Sequence, residues 1–480
     1  MPVPVISVAQ MREWEKVTWA SGVAVDAVMQ RAGEAVARMA ERLTRPWDRI
    51  LFIAGKGHNG DDTVLAHEAV EHRAKSLLRV VDPERGGEAL ASLLAETPAL
   101  IVDGLFGIGL NRPLSGAWLD FIERLNRSGV PVLAVDVPSG LSADTGLPLD
   151  VAVRAQWTLT LAAVKQGLLL PNAAMFTGRV EVARDIGLVP YPFTTELNWM
   201  MAEDFKNFPP ARIVSGHKGT FGHLVIVAGS VGYHGAAVLA ARGAHRAQPG
   251  LVSLCTTHGA YLPVASQLQA TMVQGWDEAL SLPKSCTAIL LGPGLAGRDV
   301  PESLQRLVRR YWQDAPQAVI ADATALDWLP EGPVPENAVR VMTPHPGEAG
   351  RLLRTSTAVV QENRPQAARE LSRRHGNCHV VLKGHQTLVG RSKEELSVNS
   401  SGNPFLGQGG SGDLLAGYLA GLLAQPELAR EADRAMRFAV WQHGAAADAL
   451  LASRANFTIE DLAGVLGGVR ACGGRQRLFE

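Results

Sequence analysis

Cysteine is scarce: four residues in 480, Cys255, Cys286, Cys378 and Cys472, with no Cys-x-x-Cys pair among them. That spacing argues against a zinc site and a disulfide scaffold, and it fits a reducing, cytoplasmic setting. A charge excess of either sign is lacking too. Lys and Arg number 46 and Asp and Glu 47, a formal net charge of −1, and no basic run is long enough to neutralise a phosphate backbone. Nucleic acid is therefore not an expected partner. No apolar run approaches ~18 residues, so no membrane span is expected. The opening MPVPVISVAQMREWEKV carries charges where a secretory signal needs an apolar stretch, so no signal peptide is expected either. Short tandem repeats and low-complexity blocks are also missing.

The chain does have ample material for packed cores, at 46% hydrophobic against 19% charged residues. Its length points to two domains. Glycine (49) and proline (28) are spread along the chain, as in many short loops between regular elements. From 12 to 43, apolar residues recur at three- and four-residue steps, which predicts helices broken near Gly22. Short apolar runs follow, each ending in Gly or an acidic residue: RILFIAG, ALIVDG and PVLAVD. Such runs suit strands buried on both faces of a parallel sheet, where ligands gather at the carboxyl edge. The pattern lapses near 188–216 and then returns with GHLVIVAGS, LVSLCT, AILLGPG, AVIADAT, RVMTPHPGE and HVVLKG. A boundary near 190–200 and a second, larger α/β sandwich are expected.

In the first half, AGKGHNGDDT stands between a strand and a helical stretch. Small residues there let the backbone approach an anion, and the helix start offers free N–H groups; a merely tight turn would read the same. Asp103 and Asp136, at the ends of two other strands, share that sheet edge, where Asn59, Asp103 and Ser139 could converge on a cation through oxygen. The alternative is that both aspartates cap loops.

GKGHNGDD, VDGLFGIGLNRP and VDVPSGLSADTG resemble the signature loops of the NAD(P)H-hydrate epimerase domain, with MQRAGEAV and TLTLAAVKQGL in support. The resemblance implies a Rossmann-like domain over 1–190 that interconverts the R and S epimers of hydrated NAD(P)H at ring carbon 6. It assigns a potassium ion to Asn59, Asp103 and Ser139. The hydrate falls to His58, Asn59, Gly60, Asp61 and Asp62 and to Gly107, Ile108, Gly109, Leu110, Asn111, Arg112 and Pro113. Asp136 is assigned hydrate binding with acid/base work, and Lys165 matches a family lysine near the site. The loop departs from the usual G-N-N-G-G-D-G: His58 replaces Asn, and Asp61 and Thr63 each replace Gly, while Gln30 stands where Glu is common. Asp61 adds a negative charge where a dinucleotide phosphate is expected, so a weakened epimerase is the expectation.

The strongest local signal is NSSGNPFLGQGGSGDLLAGYLAGLLA (399–424). Its apolar spacing predicts a helix with Asp413 in the first turn. Glycine-freed N–H groups at a helix start make an anion hole, and a carboxylate beside it can take a proton from an alcohol, the equipment of phosphoryl transfer. A capped helix whose dipole Asp413 favours is the alternative. In TPHPGE, two prolines would fix a loop in which His345 binds substrate and Glu348 holds Mg²⁺ through water. LKGHQT offers Lys383 and Thr387 to nucleotide phosphates.

Together with HKGTFGHLVIVAGS, YHGAA, LGPGL and GNP, these motifs resemble the ADP/ATP-dependent NAD(P)H-hydrate dehydratases of the ribokinase-like superfamily. The resemblance implies a ribokinase-like three-layer sandwich over 197–480, with 191–196 as linker. By it, Ala236, Gly294, His345 and Asp413 contact the hydrate, with Asp413 as base. Lys383, Gly384, His385, Gln386, Thr387 and Gly412 contact ADP or ATP. Asp322 matches the first Asp of the family's D-A-D-A-L, and Thr324 replaces the second. Both halves in this order look like the bifunctional repair family, with a homo-oligomer expected. A vitamin-type kinase and a non-catalytic N-terminal binding module are the competing readings.

Overall fold

The computed structural model describes residues 2–114, 116–278 and 281–471, so Cys472 lies outside the described residues. Two compact units are formed, one from Val3 to Trp199 and one from Met200 onward. The other three cysteines are free and buried.

The N-terminal unit contains β1 (Val3–Ile6), β2 (Arg49–Ala54), β3 (Ala74–Arg79), β4 (Leu100–Gly104), β5 (Val132–Val135), β6 (Trp157–Leu161), β7 (Val164–Lys165), β8 (Arg179–Ala183) and β9 (Leu197–Trp199). Six of these form a parallel sheet in the order β3-β2-β4-β5-β6-β8. β1 pairs parallel with β7 and antiparallel with β9. Alternate residues of β2 enter different cores. Ile50 and Phe52 pack with Val28, Ala32 and Val36 of the helix Val25–Arg42, whereas Leu51 and Ile53 pack with Leu90 and Phe121 of helices on the opposite face. This two-sided burial accounts for the unbroken apolar runs.

Helices Val8–Ala20 and Val25–Arg42 flank Gly22, where the periodicity breaks. The glycine-rich stretch after β2 turns helical just past its second glycine, Gly57, in His58–Ala69. Gly60 is pressed so close to Gly55 that an added Cβ would lie 2.2 Å from the Gly55 carbonyl oxygen, which fixes a glycine there.

The C-terminal unit contains β10 (His223–Val227), β11 (Leu251–Thr256), β12 (Met272–Gly275), β13 (Ala288–Leu291), β14 (Ala318–Ala321), β15 (Arg340–Met342), β16 (His379–Leu382), β17 (Leu388–Gly390) and β18 (Leu396–Val398). Their order is β12-β11-β10-β13-β14-β15-β16-β17-β18, parallel through β16 and antiparallel thereafter. Helix Ser411–Leu423 packs on helix His234–Ala247 at backbone contact: a Cβ on Gly417 would lie 1.9 Å from the Ala240 oxygen. Helix Ala432–Leu451 packs against the same core. This close crossing fixes the start of Ser411–Leu423 at the carboxyl edge of the sheet.

Candidate active sites

In the N-terminal unit, the carboxyl ends of β2, β4 and β5 carry Gly55–Asn59, Asp103 and Asp136 to one edge. Asp103 is fully buried. Its carboxylate accepts Ser139 Oγ–H at 2.7 Å, Ser139 N–H at 2.9 Å and Leu105 N–H at 3.3 Å. Burial nevertheless pushes its pKa up to about 6. Asn59 Nδ2 donates to the Phe106 carbonyl at 3.0 Å, and Ser139 Oγ accepts the Phe106 N–H at 2.9 Å. Amide, hydroxyl, carbonyl and carboxylate oxygens are thus gathered at one point.

Beside it opens a cavity of about 600 Å³ walled by Glu15, His58, Asn59, Asp62, Asp136 and Lys165, together with Gly107–Arg112. Asp136 sits in the left-handed backbone region, φ 65°. Its Oδ1 accepts from Thr160 Oγ1 at 3.1 Å, from Leu161 N–H at 3.0 Å and from the buried Lys165 ammonium, which also donates to Leu161 O at 2.8 Å. Asp62 is 7% exposed and its Oδ1 has no hydrogen-bond partner. Burial, then the charges of Asp136, Asp61 and Glu15, push it up to about 8.

Of the residues expected at the hydrate, Gly60, Asp61 and Pro113 are not on this cavity wall. Asp61 turns to Arg79 at the end of β3, 2.8 Å away. Thr63 Oγ1 donates to the Asn59 carbonyl at 2.8 Å, inside its own helix. Sequence reasoning missed Glu15, on the helix Val8–Ala20, whose carboxyl is raised by burial and by Asp136. Nothing in its local sequence distinguishes it from a solvated helix residue.

In the C-terminal unit, the helix bearing Asp413 starts at Gly410 with no side-chain cap, and the first N–H groups of such a helix lack intrahelical partners. Burial, followed by the charge of Asp322, raises Asp413 to about 6. Lys383, just past β16, donates to Asp322 Oδ1 at 2.6 Å and lies 4.0 Å from Glu348. Asp322 also accepts from Thr343 Oγ1 at 2.6 Å. A Cβ on Gly412 would lie 3.3 Å from Lys383 Nζ, so the glycine-rich helix start and the lysine are neighbours.

TPHPGE forms a reciprocal helix cap. His345 Nδ1 accepts from the N–H groups of Gly347 and Glu348, and Glu348 Oε2 accepts the His345 N–H at 2.7 Å. Gly294 packs on Tyr233 and Ala236. The loop holding Gly384, His385, Gln386 and Thr387 is pinned by Arg364, which donates to Leu382 O at 3.0 Å, Lys383 O at 3.3 Å and His385 O. Arg364, some twenty residues upstream, was not foreseen. Among the described residues, no group of three or more His, Cys, Asp or Glu is arranged to hold a metal ion.

The NAD(P)H-hydrate dehydratase family matches residues 224–464, and the family called YjeF-related protein N-terminus matches 67–167. The bifunctional NAD(P)H-hydrate repair enzyme of Coxiella burnetii is 34% identical over 87% of this chain and 89% of its own. This chain belongs to the bifunctional NAD(P)H-hydrate repair family. The family's Escherichia coli member is 33% identical over 90% of this chain and 86% of its own. The crystal structure of the ADP/ATP-dependent NAD(P)H-hydrate dehydratase from Bacillus subtilis, co-crystallized with ATP and Mg²⁺, is 30% identical. It covers 55% of this chain and 95% of its own, with a TM-score of 0.50. Among the described residues, no helix is long and apolar enough to cross a membrane.

Proposed function

We infer that the chain repairs hydrated NAD(P)H in two steps: epimerisation of the R-hydrate to the S-hydrate in the N-terminal unit, then nucleotide-dependent dehydration of the S-hydrate in the C-terminal unit. One observation carries this reading. Each unit holds a raised carboxyl at its sheet edge, buried Asp62 beside Asp136 and half-buried Asp413 beside an uncapped helix start.

In the dehydratase step Asp413 removes the proton of the C6 hydroxyl as the oxygen takes a phosphoryl group from ADP or ATP. The helix start at Gly412 and the Lys383 ammonium meet the transferred charge. Phosphate then leaves C6 with the C–O bond pair while a proton leaves C5, whose C–H pair forms the C5=C6 double bond and restores the dihydronicotinamide ring. Ala236, Gly294 and His345 wall the hydrate, and the Arg364-pinned loop Gly384–Thr387 takes the nucleotide. Glu348 is committed to the His345 cap and lies 4.0 Å from Lys383, so it does not fit direct coordination of Mg²⁺; it would hold a nucleotide-borne Mg²⁺ through water.

In the epimerase step Asp136, oriented by Lys165, Thr160 and the Leu161 N–H, faces the hydrate as base. The oxygens of Asn59, Asp103, Ser139 and Phe106 fit a potassium ion, whose charge would compensate the buried Asp103 and order the Gly107–Arg112 segment.

Epimer-resolved hydrated NADH tests the whole reading. With ADP or ATP both epimers should disappear and NADH should form; without nucleotide, R and S should only interconvert, and faster in potassium than in a tetraalkylammonium salt. A stable phosphorylated product without NADH would make the protein a kinase. Persistence of the R-hydrate would leave the N-terminal unit as a binding module.

A further inference from the structure

The two aspartates on the wall of the N-terminal cavity are wired in opposite ways. Asp136 Oδ1 collects three donors, Lys165, Thr160 and the Leu161 N–H, a set that serves a carboxylate. Asp62 is equally buried, yet its Oδ1 meets no donor. An ionised carboxylate so placed would pay the full cost of desolvation, whereas a neutral carboxyl avoids it and keeps an O–H to offer. The charged groups around Asp62 reinforce that preference. Asp136, Asp61 and Glu15 all oppose its ionisation. Lys165 is engaged by Asp136 and Arg79 by Asp61, while Arg12, Lys56, His58 and Arg112 are the remaining titratable groups on the wall.

We propose that Asp62 is the proton donor of the epimerase, working as the neutral partner of ionised Asp136. The proposal rests on the epimerase reading above. A carboxyl left without donors beside one supplied with three separates an acid from a base, and burial pushes Asp62 up to about 8, which leaves it protonated at neutral pH.

The chemistry balances within the hydrate. Carbon 6 bears both the hydroxyl and the ring nitrogen N1. Asp136 takes the hydroxyl proton and the O–H electron pair becomes the second C–O bond of an aldehyde. The C6–N1 bond breaks with its pair on N1, which receives the proton of Asp62. Rotation about C5–C6 presents the other face of the carbonyl. N1 then attacks C6, returns its proton to Asp62, and the oxygen recovers its proton from Asp136. Both carboxyls end as they began, and no oxidant, reductant or external water is consumed.

The test is R-to-S conversion by the full chain without nucleotide, as a function of pH, for wild type, Asp62→Asn and Asp62→Glu. Asp62→Asn should lose at least ~100-fold in kcat with little change in hydrate affinity by calorimetry. The wild-type kcat should fall as pH rises through about 8, where Asp62 loses its proton. That alkaline limb should be missing from the residual rate of Asp62→Asn, and Asp62→Glu should recover part of the rate. Wild-type kcat in Asp62→Asn, an effect on KM alone, or an alkaline limb surviving the substitution would each overturn the assignment. A wild type without conversion would instead overturn the epimerase reading itself.

Discussion

Arg79 Nη2 stands 2.8 Å from Asp61 Oδ1, so the carboxylate that departs most from the family's loop is already paired, and paired outside the cavity. The charge expected to weaken the epimerase is thus met by a cation, although it still opposes the ionisation of Asp62. Both partners are substantially exposed, and such a pair contributes little to stability. Asp61→Gly should change the R-to-S rate by less than about threefold and leave thermal stability nearly unaltered, within about 1 kcal/mol. A gain of tenfold or more would mean that Asp61 does confront the hydrate.

Asp413 gives a pH signature for the other unit. Its carboxyl is raised to about 6, and only the ionised form accepts a proton, so nucleotide-dependent dehydration should rise with pH through about 6 and then level off. Asp413→Asn should remove at least ~100-fold of kcat while nucleotide affinity, assigned to the backbone and Lys383, holds. Steady-state rates on the S-hydrate from pH 5 to 8, with calorimetry of ADP, decide it.

Lys383 is bound into a carboxylate pocket beside the glycine-rich helix start. Lys383→Ala should weaken ADP binding and also destabilise the C-terminal unit by about 3 kcal/mol, because the buried charge of Asp322 would keep the Thr343 hydroxyl but lose its cation. The double variant Lys383→Ala/Asp322→Asn should regain stability and not affinity. Thermal unfolding and calorimetry separate the two effects.

Asp62 makes stability itself depend on pH. Its carboxyl titrates near 3.8 when unfolded and about 8 when folded, so between those values the native state holds the extra proton and stability falls as pH rises. Asp62→Asn should flatten that slope and stabilise the N-terminal unit at pH 8 relative to wild type, by on the order of a few kcal/mol. Denaturant unfolding at pH 5 and pH 8 reads the difference.

The doubly buried strands were legible because burial on both faces leaves an uninterrupted apolar run, as in RILFIA and HVVL. β3, AKSLLR, was not foreseen: it lies at the sheet edge, mixes exposed and half-buried residues with none buried, and carries a lysine and an arginine. The three-residue strands β17 and β18 are too short to register a period. The glycine-Asp motif announced Asp413 because backbone freedom and a helix start leave a local mark. The pairings of Asp61 with Arg79, of Lys383 with Asp322 and of Arg364 with the 382–385 carbonyls join residues separated by 18 to 61 positions, and nothing local encodes them. His345 shows the converse: TPHPGE signals a reciprocal helix cap as strongly as a ligand.

The left-handed backbone at Asp136 narrows what mutation can do there. Only glycine, asparagine and aspartate enter that region at low cost. Glutamate would keep the charge but resist the φ of 65°, whereas asparagine or glycine would suit the φ but surrender the charge. Aspartate alone meets both demands. A lineage drifting at this position thus has no graded intermediate to pass through: it keeps an unstrained charge there or surrenders it in a single substitution.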